Sequence, residues 1–317
     1  MEVIAVTALL PVRLDKYLMQ LYPALSVGRL NKALRENKIK LNGKKQPLST
    51  RVQAGDEIRL FLPPQQLCAA PPQAGPLFLQ ARCPARVVYE DDQLLLAEKP
   101  AGLPVSGETE SDTLINRVLL HLHQSGRYAP GEAFTPALCH RLDTGTSGLV
   151  IVAKTAPALE ALTRLIRDRQ LPQEYLCVTF GRPSPAADTL TGYLQKDAAK
   201  GKVTVSGKNV PGAKPIETRY ETMAVSGRLA LLKVQLITGR THQIRAHLAS
   251  IGCPILGDGK YGSNQANRQL RFKYQALCAW RLRFPALPDP VLAGVSGRTF
   301  QLEKPWYCQQ VLDGTLQ

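Results

Sequence analysis

The chain has 317 residues, of which 44% are hydrophobic and 21% are charged, and this composition excludes an intrinsically disordered protein. It carries 40 Lys and Arg against 25 Asp and Glu, a formal net charge of +15 at pH 7. Such an excess attracts polyanions and favours a nucleic acid partner, although a basic soluble protein could share it. The seven cysteines form no C-x-x-C pair, which predicts neither a zinc site nor a disulfide framework but reduced thiols in the cytoplasm.

Composition divides the chain into a small module and a large domain. The first residues form an apolar run that breaks at Pro11 and Arg13, which predicts a leading strand and not a signal peptide or membrane span. A later stretch rich in Pro, Ala and Gln predicts a linker, because proline stiffens the chain and removes backbone donors. We expect a module at 1–62, a linker at 63–80, a large domain at 81–310 and a tail at 311–317.

Helix and turn signals fill the small module. Apolar spacing predicts a first helix at 13–21, and Ser26 is a suitable N-cap for a second helix that runs to about Asn37. A short strand at Ile39–Leu41, an Asn-Gly turn and a strand at 57–62 follow.

Basic residues of the module lie on one predicted helix face and beyond the turn. A solvated charged surface is the simpler interpretation. The order R-L-D-K-Y-L, then N-G-K, then G-D-E-I resembles the S4-like (α-L) RNA-binding domain. The resemblance implies salt-dependent contacts with RNA phosphates. The side chains expected to make them are Arg29, Lys32, Arg35, Lys44 and Lys45.

The large domain shows more strands than helices. A hairpin is predicted from 86–89 and 94–98, and an apolar, β-branched run predicts a buried strand at 148–153. Helices are predicted after a Thr155 cap and over 242–250. Further strands are predicted at 174–179, 217–224 and 229–237. Successive strands with few helices favour an α+β fold around a mixed, mainly antiparallel sheet.

The segment C-H-R-L-D-T-G-T-S-G at 139–148 is the most unusual in the chain. Its lone carboxylate, Asp143, lies between basic residues and a glycine-rich turn, directly before the buried strand. A carboxylate beside arginine stays ionised at neutral pH, as a nucleophile or general base must. The alternative is that Asp143 only organises the turn by bonding backbone N–H groups.

A second basic segment, T-G-R-T-H-Q-I-R, begins at Thr238 and enters the predicted helix at 242–250. Helical spacing places Ile244, Leu248 and Ile251 on one face and His242 with Arg245 on another. Arg245 could therefore meet a carboxylate while the apolar face packs. Phosphate binding or a surface salt bridge remains open as an alternative.

Several ordered motifs over about residues 86–285 resemble the RluA-type pseudouridine synthases. They are E-K-P-A-G-L-P-V at 98–105, H-R-L-D-T-G-T-S-G-L at 140–149, E-Y-L-C-V at 174–178, T-G-R-T-H-Q-I-R at 238–245 and G-C-P-I-L-G-D at 252–258. The resemblance implies that Asp143 is the catalytic carboxylate, Arg245 its ion-pair partner and Tyr175 the residue that stacks on the target base and assists deprotonation. The remaining expected RNA contacts of this domain are His140, Arg141, Arg240 and His242. Of these, Arg141 would fill the gap left by a flipped nucleotide.

This family resemblance also implies the substrate class. Large-subunit ribosomal RNA is the first expected target and transfer RNA the second. We expect the protein to need no metal or organic cofactor and to bind no membrane. We also expect it to be a monomer in the cytoplasm. Gln173 stands where the family usually has a lysine, and Cys278 where it usually has a histidine. The polar insert at 195–212 is expected to form a mobile loop or hairpin.

Two other functional classes remain open from sequence. The string D-T-G-T-S also matches aspartic proteases, which need two carboxylates that share a proton; this chain has a single D-T-G. A non-catalytic RNA-binding or ribosome-assembly protein could use the same fold. That second class has no need of Asp143, since a carboxylate in an RNA cleft repels phosphate.

Overall fold

A computed structural model describes residues 2–7, 12–22, 25–63, 67, 76–197 and 201–316. Two units divide between Leu77 and Phe78, inside the expected linker. Most of that linker lies outside the described residues. Its end, Leu77–Gln80, forms a 3-10 helix, and Phe78 is buried in the core of the second unit.

The first unit pairs two helices with small antiparallel sheets. Its helices are α1 (Leu14–Leu21) and α2 (Val27–Arg35). Its strands are β1 (Glu2–Ala5), β2 (Val12–Arg13), β3 (Ile39–Leu41), β4 (Arg51–Val52) and β5 (Glu57–Leu60). One sheet has the order β1-β5-β3 and the other pairs β2 with β4.

The local predictions for the first unit are confirmed within a few residues. Ser26 Oγ accepts from the backbone N–H of Arg29 at 3.3 Å and so caps α2. Asn42 and Gly43 have positive φ values of 49 and 75, and reciprocal backbone hydrogen bonds between Leu41 and Lys44 close the turn. Leu14, Leu18 and Leu30 are fully buried against the sheet.

The second unit is built on one mixed sheet that contains eleven strands within the described residues. Its strands are β6 (Arg86–Glu90), β7 (Leu94–Lys99), β8 (Ala137–Leu138), β9 (Ser147–Ala153), β10 (Gln173–Phe180), β11 (Ala187–Asp197), β12 (Lys202–Ser206), β13 (Lys214–Ser226), β14 (Leu229–Leu236), β15 (Leu277–Arg283) and β16 (Thr299–Gln301). The order is β12-β11-β13-β14-β10-β15-β9-β7-β6, with β16 beside β15 and β8 beside β9. Only β9 and β15 pair in parallel among these described strands, so the α+β prediction with a mainly antiparallel sheet is confirmed.

Helices cover both faces of this sheet. They are α3 (Leu114–Gln124), α4 (Ala156–Arg167), α5 (Gln243–Ser250), α6 (Asn264–Gln269) and α7 (Trp306–Leu312). Side chains alternate along a strand, so Leu176 packs into the core with α4 and α7, whereas Tyr175 packs into the core with α3 and α5. The side chains that contact Asp143 lie on the face of the sheet that α5 covers.

Two sequence-based expectations change in the second unit, and a third is confirmed. The prediction of a tail at 311–317 is wrong for residues 311–316, because Val311 and Leu316 are buried in the core. Of the mobile loop or hairpin expected at 195–212, the hairpin is confirmed, since β11 and β12 pair in antiparallel register. Ile251 is 38% exposed and does not join the buried face of Ile244 and Leu248, because it lies beyond the end of α5. Within the described residues, no helix is long and apolar enough to cross a membrane.

Candidate active site

The loop that carries Asp143 is anchored at both ends. It leaves β8 and enters β9 at Ser147, where β9 pairs with β15 through Gly148 and Ala279. Gly148 has φ +125, and a Cβ there would lie 2.4 Å from the Ala279 backbone. Only glycine fits this close approach. The T-S-G part of the motif therefore fixes where Asp143 leaves the sheet.

A buried lysine ties this loop to the neighbouring turn. Lys99 is fully buried, and its Nζ donates to the carbonyl oxygens of Pro100 at 3.0 Å, Leu103 at 2.6 Å and Thr144 at 2.9 Å. Gly102 N also donates to Thr144 O at 2.8 Å. Burial lowers the pKa of Lys99 to about 8, and the nearby Asp143 charge opposes that shift. The K-P-A-G-L-P motif thus holds the Asp143 loop in place through hydrogen bonds to Thr144.

Arg245 joins two carboxylates. Its Nη1 donates to Asp143 Oδ2 at 2.7 Å, while Nε and Nη2 donate to the two oxygens of Asp258 at 2.7 and 3.0 Å. Burial alone would raise the pKa of the fully buried Asp258, but the hydrogen bonds and charge of Arg245 hold it below its usual range. Burial alone would lower the pKa of Arg245, but Asp258 and Asp143 together raise that pKa above its usual value.

Tyr175 lies beside Asp143 on β10. Its ring is buried, and its hydroxyl donates to Gln173 Oε1 at 2.9 Å. Gln173 in turn donates through Nε2 to Leu149 O at 3.3 Å. Burial raises the pKa of Tyr175 above its usual value, and the Asp143 charge adds to the shift. Gln173 supplies an acceptor for a protonated phenol, which the lysine usual in the family could not do.

The other departure from the family pattern, Cys278, lies on the opposite side of the sheet from Tyr175. It is buried and pairs with Ser147 in the parallel register of β9 and β15. Burial raises the pKa of its thiol to about 11, so the thiol stays protonated at neutral pH. Cys278 is therefore a packing residue.

His242 occupies the N-cap of α5 with φ 56, and this conformation turns its ring towards Asp143. Its Nε2 lies 3.8 Å from Asp143 Oδ2, and its Nδ1 lies 2.9 Å from the Tyr261 hydroxyl. That hydroxyl accepts from Val203 N at 2.9 Å. With the Tyr261 hydroxyl donating to Nδ1, the proton of a neutral His242 lies on Nε2, facing the carboxylate. Burial lowers the pKa of His242, although Asp143 opposes the shift.

His140 makes a hydrogen bond to the backbone, and its expected contact with RNA stays a prediction. Its Nε2 accepts from Ile151 N at 3.1 Å, and burial lowers its pKa to about 4, which keeps the ring neutral at pH 7. Arg141 and Arg240 are exposed, as RNA contacts should be.

One cavity of about 490 Å³ brings the predicted site residues together. Asp143, Tyr175 and Arg245 line it with apolar groups such as Ile237 and Leu277. Arg169 also lines it and was not predicted from the sequence. Its positive φ of 61, one residue beyond the C-cap of α4, is visible only in the structure. A cavity of this size suits a single nucleotide.

The expected basic surface of the first unit is also present as exposed side chains. On α2 these are Arg29, Lys32 and Arg35, and beyond the Asn-Gly turn they are Lys44 and Lys45. Exposure is what phosphate contacts require, and it equally suits a solvated face.

Comparisons with known proteins decide the family. The family described as RNA pseudouridylate synthase matches residues 93–250, and the S4 domain matches residues 12–58. An uncharacterized RNA pseudouridine synthase of Mycoplasma pneumoniae is 35% identical over 309 residues, which cover 95% of this chain and 94% of the relative. The chain belongs to the RluA-type RNA pseudouridine synthases. Members of this family are isomerases.

Other relatives agree with this family. The ribosomal large subunit pseudouridine synthase C of Rickettsia bellii is 33% identical, over 83% of this chain and 87% of the relative. A solved structure, human RNA pseudouridylate synthase domain containing 4, matches with a TM-score of 0.57 at 25% identity and covers 72% of this chain and 92% of its own. The predicted family, fold and enzyme class are thus confirmed for this pseudouridine synthase.

The arrangement of carboxylates separates this pseudouridine synthase from an aspartic protease. A protease dyad has two carboxylates that share one proton. Here a guanidinium lies between Asp143 and Asp258, and each carboxylate bonds to it. The D-T-G-T-S string therefore belongs to a synthase loop.

Proposed function

We propose that this synthase isomerises a uridine of large-subunit ribosomal RNA to pseudouridine, with Asp143 as the catalytic carboxylate. The contact between Asp143 and Arg245 in the nucleotide-sized cavity carries the proposal. The name of the Rickettsia relative favours ribosomal RNA over transfer RNA as the target.

In this proposal the target uridine leaves its stack and enters the cavity. Unstacking costs a few kcal/mol, and an apolar floor with a planar guanidinium at the rim offsets that cost. Tyr175 and Leu277 would contact the uracil, and Arg141 would take the place that the base vacates. The exposed guanidinium of Arg240 would hold a flanking phosphate.

Asp143 would then act on the nucleotide as a nucleophile. Arg245 bonds to Oδ2, so Oδ1 is the oxygen offered to the substrate. The carboxylate oxygen would attack C1′ of the sugar as the bond from C1′ to N1 breaks. Uracil then turns within the cavity, and C5 bonds to C1′ as the bond from C1′ to Asp143 breaks and frees the carboxylate. C5 loses its proton and N1 gains one, so the reaction needs no oxidant or reductant.

Tyr175 is assigned contact with the base and not removal of the C5 proton. Its raised pKa keeps the phenol protonated at neutral pH, and Gln173 holds that proton. Arg245 is assigned the positioning of the Asp143 carboxylate. Asp258 in turn fixes Arg245 through two hydrogen bonds.

The S4-like unit would supply affinity that does not depend on sequence. Its five exposed cations, on α2 and after the turn, would contact RNA phosphates and release counterions. Base recognition would remain with the cavity of the second unit. We further propose that the protein acts as a monomer, because one chain holds every residue assigned to the reaction.

Tritium release tests the reaction and the residue together. RNA with tritium at C5 of uridine, taken from a strain that lacks the gene, is incubated with the protein, with D143N and with the control D313N, which alters a carboxylate at the C-cap of α7. We expect release by the protein and by D313N, and none by D143N at unchanged RNA affinity. Equal release by D143N would refute the role of Asp143. Mapping the product in separated ribosomal and transfer RNA tests the target.

A further inference from the structure

A second cavity of about 490 Å³ lies on the other face of the large sheet. Cys278 and Ala276 line it, and these residues alternate along the chain with Leu277, which lines the active-site cavity. The Asp143 loop separates the two spaces, since Thr146 lines the first cavity and Ser147 the second. Gln275, in the second cavity, donates through Nε2 to Thr146 Oγ1 at 3.1 Å. The cavity is therefore next to the active-site loop but not part of the site already described.

Aromatic rings form one side of this second cavity. Trp306 is 61% exposed, the highest value among the large hydrophobic side chains that the structure describes. It stacks on Phe272, with centroids 5.2 Å apart and planes 26° apart, so one part of the indole is held while the rest is open. Tyr274, 37% exposed, lines the same cavity. Exposed indole held rigid in this way is a stacking platform.

Positive charge surrounds these rings. Arg271, Lys273 and Lys304 line the cavity and are exposed, and Lys273 Nζ lies 5.3 Å from the centroid of the Tyr274 ring. Two carboxylates also line it: Glu303 is exposed, and Glu98 pairs with Arg86 at 3.1 Å. Cations therefore outnumber the carboxylates, and the balance favours an anionic occupant with a flat apolar part.

We propose that this second cavity binds an unpaired nucleotide of the RNA substrate, with the base against Trp306 and the phosphates near Lys273 and Lys304. A base supplies the flat face and the backbone supplies the negative charge. An acidic peptide would match the charge but would leave the indole without a stacking partner. The inference rests on the proposed function only in taking RNA as the substrate.

Tryptophan fluorescence tests the proposal directly. The chain has two tryptophans. Trp280 is buried, with its Nε1 donating to Leu302 O at 2.8 Å, so a ligand in the cavity should quench Trp306 and leave Trp280 unchanged. We expect a short, unstructured oligoadenylate to quench the full-length protein. W306F should bind the RNA with similar affinity but without the quenched component. W306A should bind about fivefold or more weakly, measured by anisotropy of labelled RNA.

Charge substitutions provide the second arm. K273Q with K304Q should reduce the slope of log affinity against log salt by about 1.4, because each single-strand phosphate contact contributes about 0.7. R182Q with R228Q removes the same charge from exposed positions elsewhere in the second unit and should change the slope less. Absence of quenching, or equal affinity of W306A and the unchanged protein, would overturn the proposal. Tritium release by the unchanged protein is measured separately, so failure of this binding site is distinguishable from failure of the proposed reaction.

Discussion

Arg245 and Asp143 are 102 positions apart in the chain, and their side chains meet at 2.7 Å. The same guanidinium makes two further bonds to Asp258, which is fully buried. The carboxylate proposed to react is thus positioned by Arg245, which is itself held in place by Asp258. The orientation of Asp143 should therefore depend on a residue that does not touch the substrate.

Substitution of Asp258 tests this dependence. D258N keeps the shape but leaves the Arg245 charge with one carboxylate in place of two. Removal of one partner from a buried ion pair costs about 3–5 kcal/mol, so we expect lower stability in urea unfolding. We also expect kcat for tritium release to fall at least about tenfold, with a smaller change in KM. If KM changes and kcat does not, Asp258 positions the RNA and not Arg245.

Lys99 should make stability depend on pH. Its pKa of about 8 in the folded protein lies below the value of an exposed lysine, so the unfolded chain binds the additional proton. Stability should therefore rise between about pH 8 and 10.5, by up to about 3 kcal/mol, and the cost of the buried charge is fully present below pH 8. Urea unfolding of the protein and of K99M at pH 7.5 and 9.5 checks this. A rise of equal size in K99M would assign the effect to other groups.

Gln173 should control the titration of Tyr175. In Q173K, the ammonium can only donate, so it would donate to the phenol oxygen and stabilise the tyrosinate. We expect one tyrosine to titrate at lower pH in Q173K than in the unchanged protein. Tyrosinate absorbance as a function of pH measures this titration. The double variant Q173K with Y175F is the control and should lack that component. A shift that persists in the double variant belongs to another tyrosine.

The basic face of α2 should determine part of the salt dependence of RNA binding. R29Q, K32Q and R35Q together should lower the slope of log affinity against log salt by about 2 to 3. A control with K40Q, R51Q and R59Q removes the same charge from the strands of the first unit. An equal effect of the two triple variants would show that net charge matters and that the helix face does not.

The sequence predicted those parts of the site that lie in contiguous motifs. Asp143, Tyr175 and Arg245 were expected together, and the structure places all three around one cavity. The roles of Lys99 and Asp258 were not predicted, because a buried charge shows its partners only after distant segments have packed. No local pattern links Lys99 to Thr144, its bond partner 45 positions away.

Fold predictions failed where tertiary packing decides the outcome. The segment 311–317 is short and polar enough to suggest a tail, yet Val311 and Leu316 are buried against the sheet. Helix α3 was not predicted, although Thr113 caps it through a bond from Asn116 N and its leucines recur at helical spacing. Strands rich in β-branched residues, such as β9, were predicted almost to the residue because their pattern is local.

The group of Asp143, Arg245 and Asp258 carries one positive and two negative formal charges when both carboxylates are ionised. Of these two carboxylates only Asp143 lines the cavity, and the exposed guanidiniums of Arg141, Arg169 and Arg240 contribute positive charge to the same lining. The phosphates of an approaching nucleotide would be attracted to these exposed arginines, while the neutral uracil could enter the cavity beside Asp143. The cavity would thereby orient a polyanion before any base-specific contact is made.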